Sequence, residues 1–425
     1  MKSVLALILA GGRVDELSVL TLYRPKSAVP FGGMYRVIDF PLSNLMHSGI
    51  ERVGILSQYR SFSLIHHVGI GTWWDFVGRD RGATMLLPST RHKASDWYKG
   101  NADAVYQNLE FVKEQKPETV MVLSGDHIYK MDYSKMVEVH RRKEADLTIG
   151  FAAIDPAESS RFGVAEMDDD AGAAGGWVVD YQEKPAASDY QWASLTIYLF
   201  KPDVLYDVLG PSGWRRASHE FGRHIIPSML GKYQIYGYKF SGYWGYTRTI
   251  DEYWQTNMDL LGEAAKIDLE QWQVRTNLDH DRLRDRPPAR IAPSAEFSNS
   301  LLHNGCEVEG RVENSILFAG VKVARGATVR NSILFFDTRV ESGAVLDKTI
   351  TDFDVRIGAD CSVGDGKAAT ANAEFAGLLS TGITLVGKGA QLPPGLRLGC
   401  NCIVAPGLKG HDFKYGQYES GMTIR

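Results

Sequence analysis

The chain has 425 residues, 44% hydrophobic and 23% charged; that leaves room for two or three domains with sizeable cores and excludes wholesale disorder. Forty-seven Lys and Arg against 51 Asp and Glu give a formal charge of −4, so there is no bulk attraction to nucleic acid or to an anionic membrane. No apolar run reaches the about 20 residues of a membrane span, and Cys306, Cys361, Cys400 and Cys402, with no CxxC pair, read as reduced packing residues of a cytoplasmic protein.

Val4–Ala10 is short for a secretory leader and has a single Lys before it. A buried parallel strand running into Gly11-Gly12 fits it as well and also accounts for that glycine pair as the turn at its end. Val53–Ser57, Thr119–Leu123 and Leu147–Phe151 are further strand-like runs. The second ends in Ser124-Gly125-Asp126, and a charged helical stretch, residues 134–145, precedes the third. Short apolar strands separated by helices predict an α/β domain with a doubly wound, mostly parallel, Rossmann-like sheet. Ligands bind beyond the carboxyl ends of such strands, so Gly11-Gly12 and Asp126 are expected to face one cleft. This domain is expected to span residues 1–261; residues 262–290, charged and closing on Arg286-Pro287-Pro288, read as a helical connector and linker.

Residues 291–425 carry an internal repeat. Ile316, Ile333 and Ile350 are 17 apart, as are Val323, Val340 and Ile357, and Val329, Leu346 and Val363. Asn314-Ser315-Ile316-Leu317 recurs as Asn331-Ser332-Ile333-Leu334, and Val386, Leu392, Leu398 and Val404 are six apart. Near-six spacing, three per coil, predicts a left-handed parallel β-helix of hexapeptide repeats, each aliphatic pointing into a continuous core. Lys367–Ser380 breaks the pattern and reads as an insertion.

Gly11-Gly12 alone is a weak phosphate-loop signal. It gains weight from Lys26, Ala28–Arg36 (AVPFGGMYR), Ile38–Asn44, Trp97–Asn108 (WYKGNADAVYQN), Ser124–Lys130 (SGDHIYK), Phe162-Gly163-Val164, Glu183-Lys184-Pro185 and Thr249–Leu261. On these stretches nearly the whole chain resembles the ADP-glucose pyrophosphorylase (glucose-1-phosphate adenylyltransferase) family of nucleotidyltransferases. The resemblance implies that glucose 1-phosphate attacks the α-phosphorus of ATP, with Mg²⁺, giving ADP-glucose and pyrophosphate in glycogen synthesis. It implies Asp126 as catalytic and metal-binding carboxylate and Lys26 as the phosphate-facing Lys. Gly11, Gly12 and Arg13 would meet the nucleotide; Tyr98, Gly100, Asp103, Gly163, Glu183, Lys184 and Ser194 would line the sugar-phosphate side. Asn101 stands where Thr is usual.

The nucleotide side departs from the family pattern. Where the family loop reads GG-x-G-x-R-L, this chain has Val14 for a Gly and Glu16 for the Arg, with Asp15 as a second negative charge. Ser89-Thr90-Arg91 stands for the segment that meets the adenine. In W-R-D-V-G-T, Tyr246 replaces the second metal carboxylate and Arg248 a Gly. His224 replaces an Asp, and Leu195-Thr196 a Met-Gly pair. Two carboxylates where a triphosphate should lie are repulsive. The expectation is a catalytically impaired member, a pseudoenzyme, working as partner or regulatory subunit in a homo- or hetero-tetramer with a homologous catalytic chain. The alternatives are an active transferase with a rearranged loop and a sugar-phosphate sensor. An acyltransferase on the β-helix would need a base, and His303 and His411 read as surface or capping residues. Family effector sites use scattered Arg and Lys near the domain junction, where Arg286 or Arg290 could serve; both read rather as solvated linker charges.

Overall fold

The computed structural model describes residues 1–12, 15–88, 90–91, 94–95, 97–169, 174–210, 219–366 and 370–425. The chain divides into two compact units: residues 1–12 with 40–244, and residues 13–39 with 245–425. Neither is contiguous, and the division does not follow the composition changes at 261 and 290.

In the first unit the strands of the main sheet are β1 (Val4–Leu9), β2 (Arg52–Leu56), β3 (Val77–Gly78), β4 (Arg81–Leu86), β5 (Thr119–Ser124), β6 (Leu147–Ala153), β7 (Gly163–Asp169), β8 (Gly175–Glu183), β9 (Trp192–Phe200) and β10 (Ile235–Phe240). Among the described residues they form a single ten-stranded sheet, ordered β6-β10-β8-β7-β9-β5-β1-β2-β4-β3. Its first half is the parallel sheet expected: β1 pairs in parallel with β2 and β5, and β2 with β4. Val4–Ile8 are all fully buried, as a central parallel strand covered on both faces requires. The second half is largely antiparallel: β9 pairs with β5, β6 and β7, and β7 with β8. Helices such as Asn101–Gln107 and Leu109–Gln115 cover one face, with Val105 and Val112 fully buried. The helix Tyr133–Arg142 is capped by Asp132, whose side chain accepts from Ser134 N.

In the second unit three parallel stacks of short strands wind into the left-handed β-helix. Ile316, Ile333 and Ile350 stack in register, as do Val323, Val340 and Ile357, and Val329, Leu346 and Val363. After Ile350 the next partner is Leu385, a step of 35 rather than 17, so the insertion around Lys367–Ser380 adds about one coil's length without breaking the stack. Residues 262–290 are not a helical connector: one turn, Leu269–Trp272, is helical, and the charges of this stretch pair with the coils instead. Arg282 reaches Asp337 and Asp354, each at 2.7 Å, and Arg286 reaches Asp337 at 2.7 Å, so Arg286 is an ion-pair partner and not a solvated charge. His303 is half-buried, its Nε2 2.8 Å from Met34 Sδ.

Residues 13–39 join this unit by specific ties. Gly32 N donates to Asn257 Oδ1 (3.1 Å), Tyr253 Oη to Pro30 O, and Arg24 Nη2 pairs with Asp352 at 2.8 Å with both side chains buried. The helix Ile250–Met258 opens with a capping box between Thr249 and Glu252. All four cysteines are buried free thiols. Among the described residues no helix is long and apolar enough to cross a membrane.

Candidate active site

The carboxyl ends of β1 and β5 are flush, because their register runs to Leu9 opposite Ser124. Gly125 N donates to Leu9 O (3.0 Å) and Ala10 N to Leu56 O (2.9 Å), fixing where the Gly turn leaves the sheet. A Cβ on Gly11 would lie 2.8 Å from the backbone N of Gln58, so any other residue there would force the end of β2 to move. Asp126 sits at the neighbouring strand end. Its Oδ1 accepts a short hydrogen bond from Ser124 Oγ and lies 3.3 Å from His127 Nε2. The His127 ring meets Trp244 edge-on at 5.6 Å, and Trp244 leans on Phe162 at 5.2 Å. Trp244 therefore links the neighbourhood of Asp126 to the residue before Gly163.

Around Gly163 the side chains converge. Tyr181 Oη donates to Glu183 Oε2 at 3.0 Å. A Cβ on Gly163 would lie 1.9 Å from Tyr181 Oη, and one on Gly222 would lie 2.1 Å from Glu183 Oε2, so the carboxylate is seated between two glycines. Lys184 is exposed at φ 48°, its N donating to Phe162 O at 2.9 Å. Ser194 is buried, with hydrogen bonds to Tyr181 and Tyr198. Burial pushes the Tyr181 hydroxyl well above its ordinary range and that of Tyr198 up to about 12, so both stay neutral donors. Thr196, whose N donates to Ser194 Oγ, has φ 54°, a left-handed conformation costly for a β-branched residue. This is the position where the family pattern has Gly.

Tyr98, Gly100 and Asp103 form a wall whose polar atoms are largely engaged within the protein. Tyr98 Oη donates to Leu86 O (3.2 Å) and accepts from Asn108 Nδ2 (3.0 Å), while Asp103 Oδ2 accepts from Lys99 N (2.8 Å) and Gln107 Nε2 (2.9 Å). A Cβ on Gly100 would lie 2.2 Å from His219 O. His219–Gly222, whose last two residues open the family stretch in which His224 replaces an Asp, ties the groups together: His219 O receives Ala102 N, Phe221 N donates to Asn101 Oδ1 (2.7 Å), and Gly222 backs Glu183. Asn101, at the usual Thr position, is thus a buttress for that segment. Tyr181 is outside every motif, although its place two residues before Glu183, on one face of β8, is a signal that could have found it.

In the second unit three departures from the family pattern are one cluster. Arg248 Nε and Nη2 both donate to Glu16 Oε1, at 3.0 and 2.9 Å, and its Nη1 lies 3.5 Å from Tyr246 Oη. Lys26, buried, holds its Nζ 5.2 Å from the centre of the Tyr246 ring. Burial alone would raise the Glu16 carboxyl, but a backbone N–H, Arg248 and Lys26 outweigh it and hold it below the ordinary range. Burial would likewise lower Arg248, and Tyr246 and Glu16 raise it instead. Arg13, Val14 and Ser89 lie outside the described residues.

The donor set for Mg²⁺ is thin. Asp126 is one carboxylate, with Oδ1 already engaged by Ser124 and facing His127. Among the described residues no three His, Cys, Asp or Glu gather to hold a metal. Asp126 alone makes no all-protein cage; it would hold Mg²⁺ together with substrate phosphates.

Two known families match successive stretches of the chain. The family described as nucleotidyl transferase matches residues 5–263, and the one described as GlmU-like, C-terminal hexapeptide matches residues 287–386. A glucose-1-phosphate adenylyltransferase of Thermotoga neapolitana is 45% identical over 99% of this chain and 98% of its own length. One of Clostridium perfringens is 45% identical over 77% of this chain and 83% of its own, and one of Pseudothermotoga lettingae 42% identical over 100% and 99%.

Proposed function

The chain belongs to the glucose-1-phosphate adenylyltransferase family, and from that premise we propose that it is a member with its sugar-phosphate side kept and its nucleotide side weakened. It would serve as partner or regulatory subunit of an active homologous chain in ADP-glucose formation for glycogen synthesis. The observation that carries this reading is the Glu16–Arg248 pair.

On the sugar side, the carboxylate of Glu183 is oriented by Tyr181 and backed by Gly222, suiting it to accept from hexose hydroxyls. The exposed Lys184 next to it supplies a cation for the phosphate of glucose 1-phosphate. Lys26, Gly11, Gly12 and Arg13 would face the nucleotide phosphates, and Asp126 is the carboxylate nearest the reacting end of β5. At position 16, however, a cation is replaced by an anion. Arg248 does not offset this for an incoming triphosphate, because two of its N–H groups are held by Glu16 itself. Losing one preorganised contact to transition-state charge costs about 10²–10³ in rate.

A second reading, an active transferase with a rearranged loop, has one observation in its favour. A Glu at 16 with an Arg at 248 keeps the same net charge as an Arg at 16 with an Asp at 246. One assay separates the two: pyrophosphate release by the full-length chain with ATP, Mg²⁺ and glucose 1-phosphate, beside the triple variant Glu16→Arg, Tyr246→Asp, Arg248→Gly. All three changes are needed, since Glu16→Arg alone would set two guanidinium groups against each other. The native chain is expected to be silent and the triple variant to gain at least about tenfold over background. Native turnover in the ordinary range of about 1–10³ s⁻¹ would overturn the proposal. The subunit role is checked by mixing the chain with an active relative and reading assembly size and specific activity.

A further inference from the structure

At the opposite, amino-terminal ends of β1, β2 and β4 the first unit has a cavity of about 320 Å³, with Arg52, Arg79 and Arg81 in its lining beside Asp80. Leu5, Val53 and Phe111 give it an apolar wall. Arg52 is the first residue of β2; its Nη1 donates to Gln115 O at 2.6 Å, at the end of the helix Leu109–Gln115. Its Nε is buried and has no hydrogen-bond partner among the described residues. A desolvated N–H on a charged group is costly unless an acceptor meets it. Arg79 and Asp80 form the two-residue turn between β3 and β4, where Gly78 pairs with Arg81. Arg81 reaches Glu51 only at 3.6 Å, with both side chains partly exposed, so its guanidinium is not committed to that carboxylate.

We propose that this cavity is a binding site for a small phosphate ester. Three guanidinium groups against the two carboxylates of Asp80 and Glu51 leave a local excess of positive charge in a chain whose net charge is negative. Arg forks suit phosphate oxygens, and Arg52, whose Nε has no hydrogen-bond partner among the described residues, brings one such fork to the lining. The volume is at the low end for ligand pockets, which admits a phosphate with one ring but not a dinucleotide. The wall formed by Leu5, Val53 and Phe111 accounts for the ring. The site needs no turnover, so it stands or falls apart from the catalytic reading.

The test is calorimetric titration of the full-length chain with inorganic phosphate and with glucose 6-phosphate, at low and at raised salt. The native chain is compared with Arg79→Gln/Arg81→Gln, with Arg52→Lys, and with Lys184→Gln as the control for occupancy beside Glu183. Arg79 and Arg81 are exposed, so their double variant is expected to fold as the native chain does. Its affinity for glucose 6-phosphate should fall at least about tenfold, with a smaller fall for Arg52→Lys and none for Lys184→Gln. No saturable binding by the native chain, or unchanged affinity in Arg79→Gln/Arg81→Gln, overturns the proposal. Binding of inorganic phosphate equal to that of the ester shows an adventitious ion only and overturns the ester assignment.

Discussion

His140 lies on the inner side of the helix Tyr133–Arg142, buried, with Nδ1 2.8 Å from Thr148 Oγ1. Burial, with Lys201 and Arg141 adding to it, pushes its pKa down from 6.5 to about 4. Between those values the unfolded chain binds a proton at this position and the folded chain does not, so stability falls as pH falls through that window. The full shift corresponds to about 3 kcal/mol. In His140→Gln the drop in urea-unfolding free energy between pH 7 and pH 4.5 is expected to be smaller than in the native chain by up to that amount. Single residues were also where the sequence was both most and least legible. Thr196 stood out as an intruder at a Gly position, and its φ of 54° supplies the physical reason Gly belongs there. Glu16, Tyr246 and Arg248 each stood out too, but as three separate losses. That the first and last are one ion pair could not be read, since 232 residues separate them and neither lies in a repeating pattern.

The β-helix was the element most open to reading, because a coil imposes its period on every inward side chain: the 17-residue columns of Ile, Val and Leu are the observed stacks. The recurring Asn-Ser before Ile has its own cause. Asn299, Asn314 and Asn331 turn the corner at positive φ and pass amide hydrogen bonds up the stack, Asn299 to Asn314 (2.9 Å), Asn314 to Asn331 (2.8 Å) and Asn331 to Asp347 (2.9 Å). The serines form a second ladder, Ser332 N donating to Ser315 Oγ and Thr349 N to Ser332 Oγ. Asn331→Ala should cost about 2 kcal/mol, from two lost hydrogen bonds and a left-handed Ala, and Asn331→Gly about 1 kcal/mol less. Thermal unfolding of the pair checks this; equal costs would mean the corner conformation is not strained. The antiparallel half of the large sheet was harder to see. In β7 and β8 charged and half-exposed residues such as Glu166, Asp168 and Asp180 interrupt the apolar runs by which the parallel strands announce themselves.

Across the whole molecule the chain passes three times between its two compact units, after Gly12, Asp39 and Trp244. Composition marks where the coils begin, but not which residues pack with them. A fragment of residues 1–261 would keep Arg24 without Asp352, Trp254 without Asn331 O and Asp251 without Thr381. Breaking a buried pair typically costs about 3–5 kcal/mol. That fragment is expected to lack a cooperative unfolding transition in residues 13–39 and 245–261, and hydrogen exchange there should be far faster than in the full chain. The same Arg24–Asp352 pair sets a timetable for the ribosome. The partners are 328 residues apart, so at about 5–20 residues per second the nascent arginine waits roughly 16 to 66 s for its carboxylate to be synthesised. Until Tyr253, whose hydroxyl donates to Pro30 O, has been synthesised, the apolar stretch Ala28–Phe31, buried in the finished molecule, is exposed on the growing chain. Slower elongation lengthens that exposure, and a holdase that shields the early segment until the coils emerge would raise the yield of folded protein.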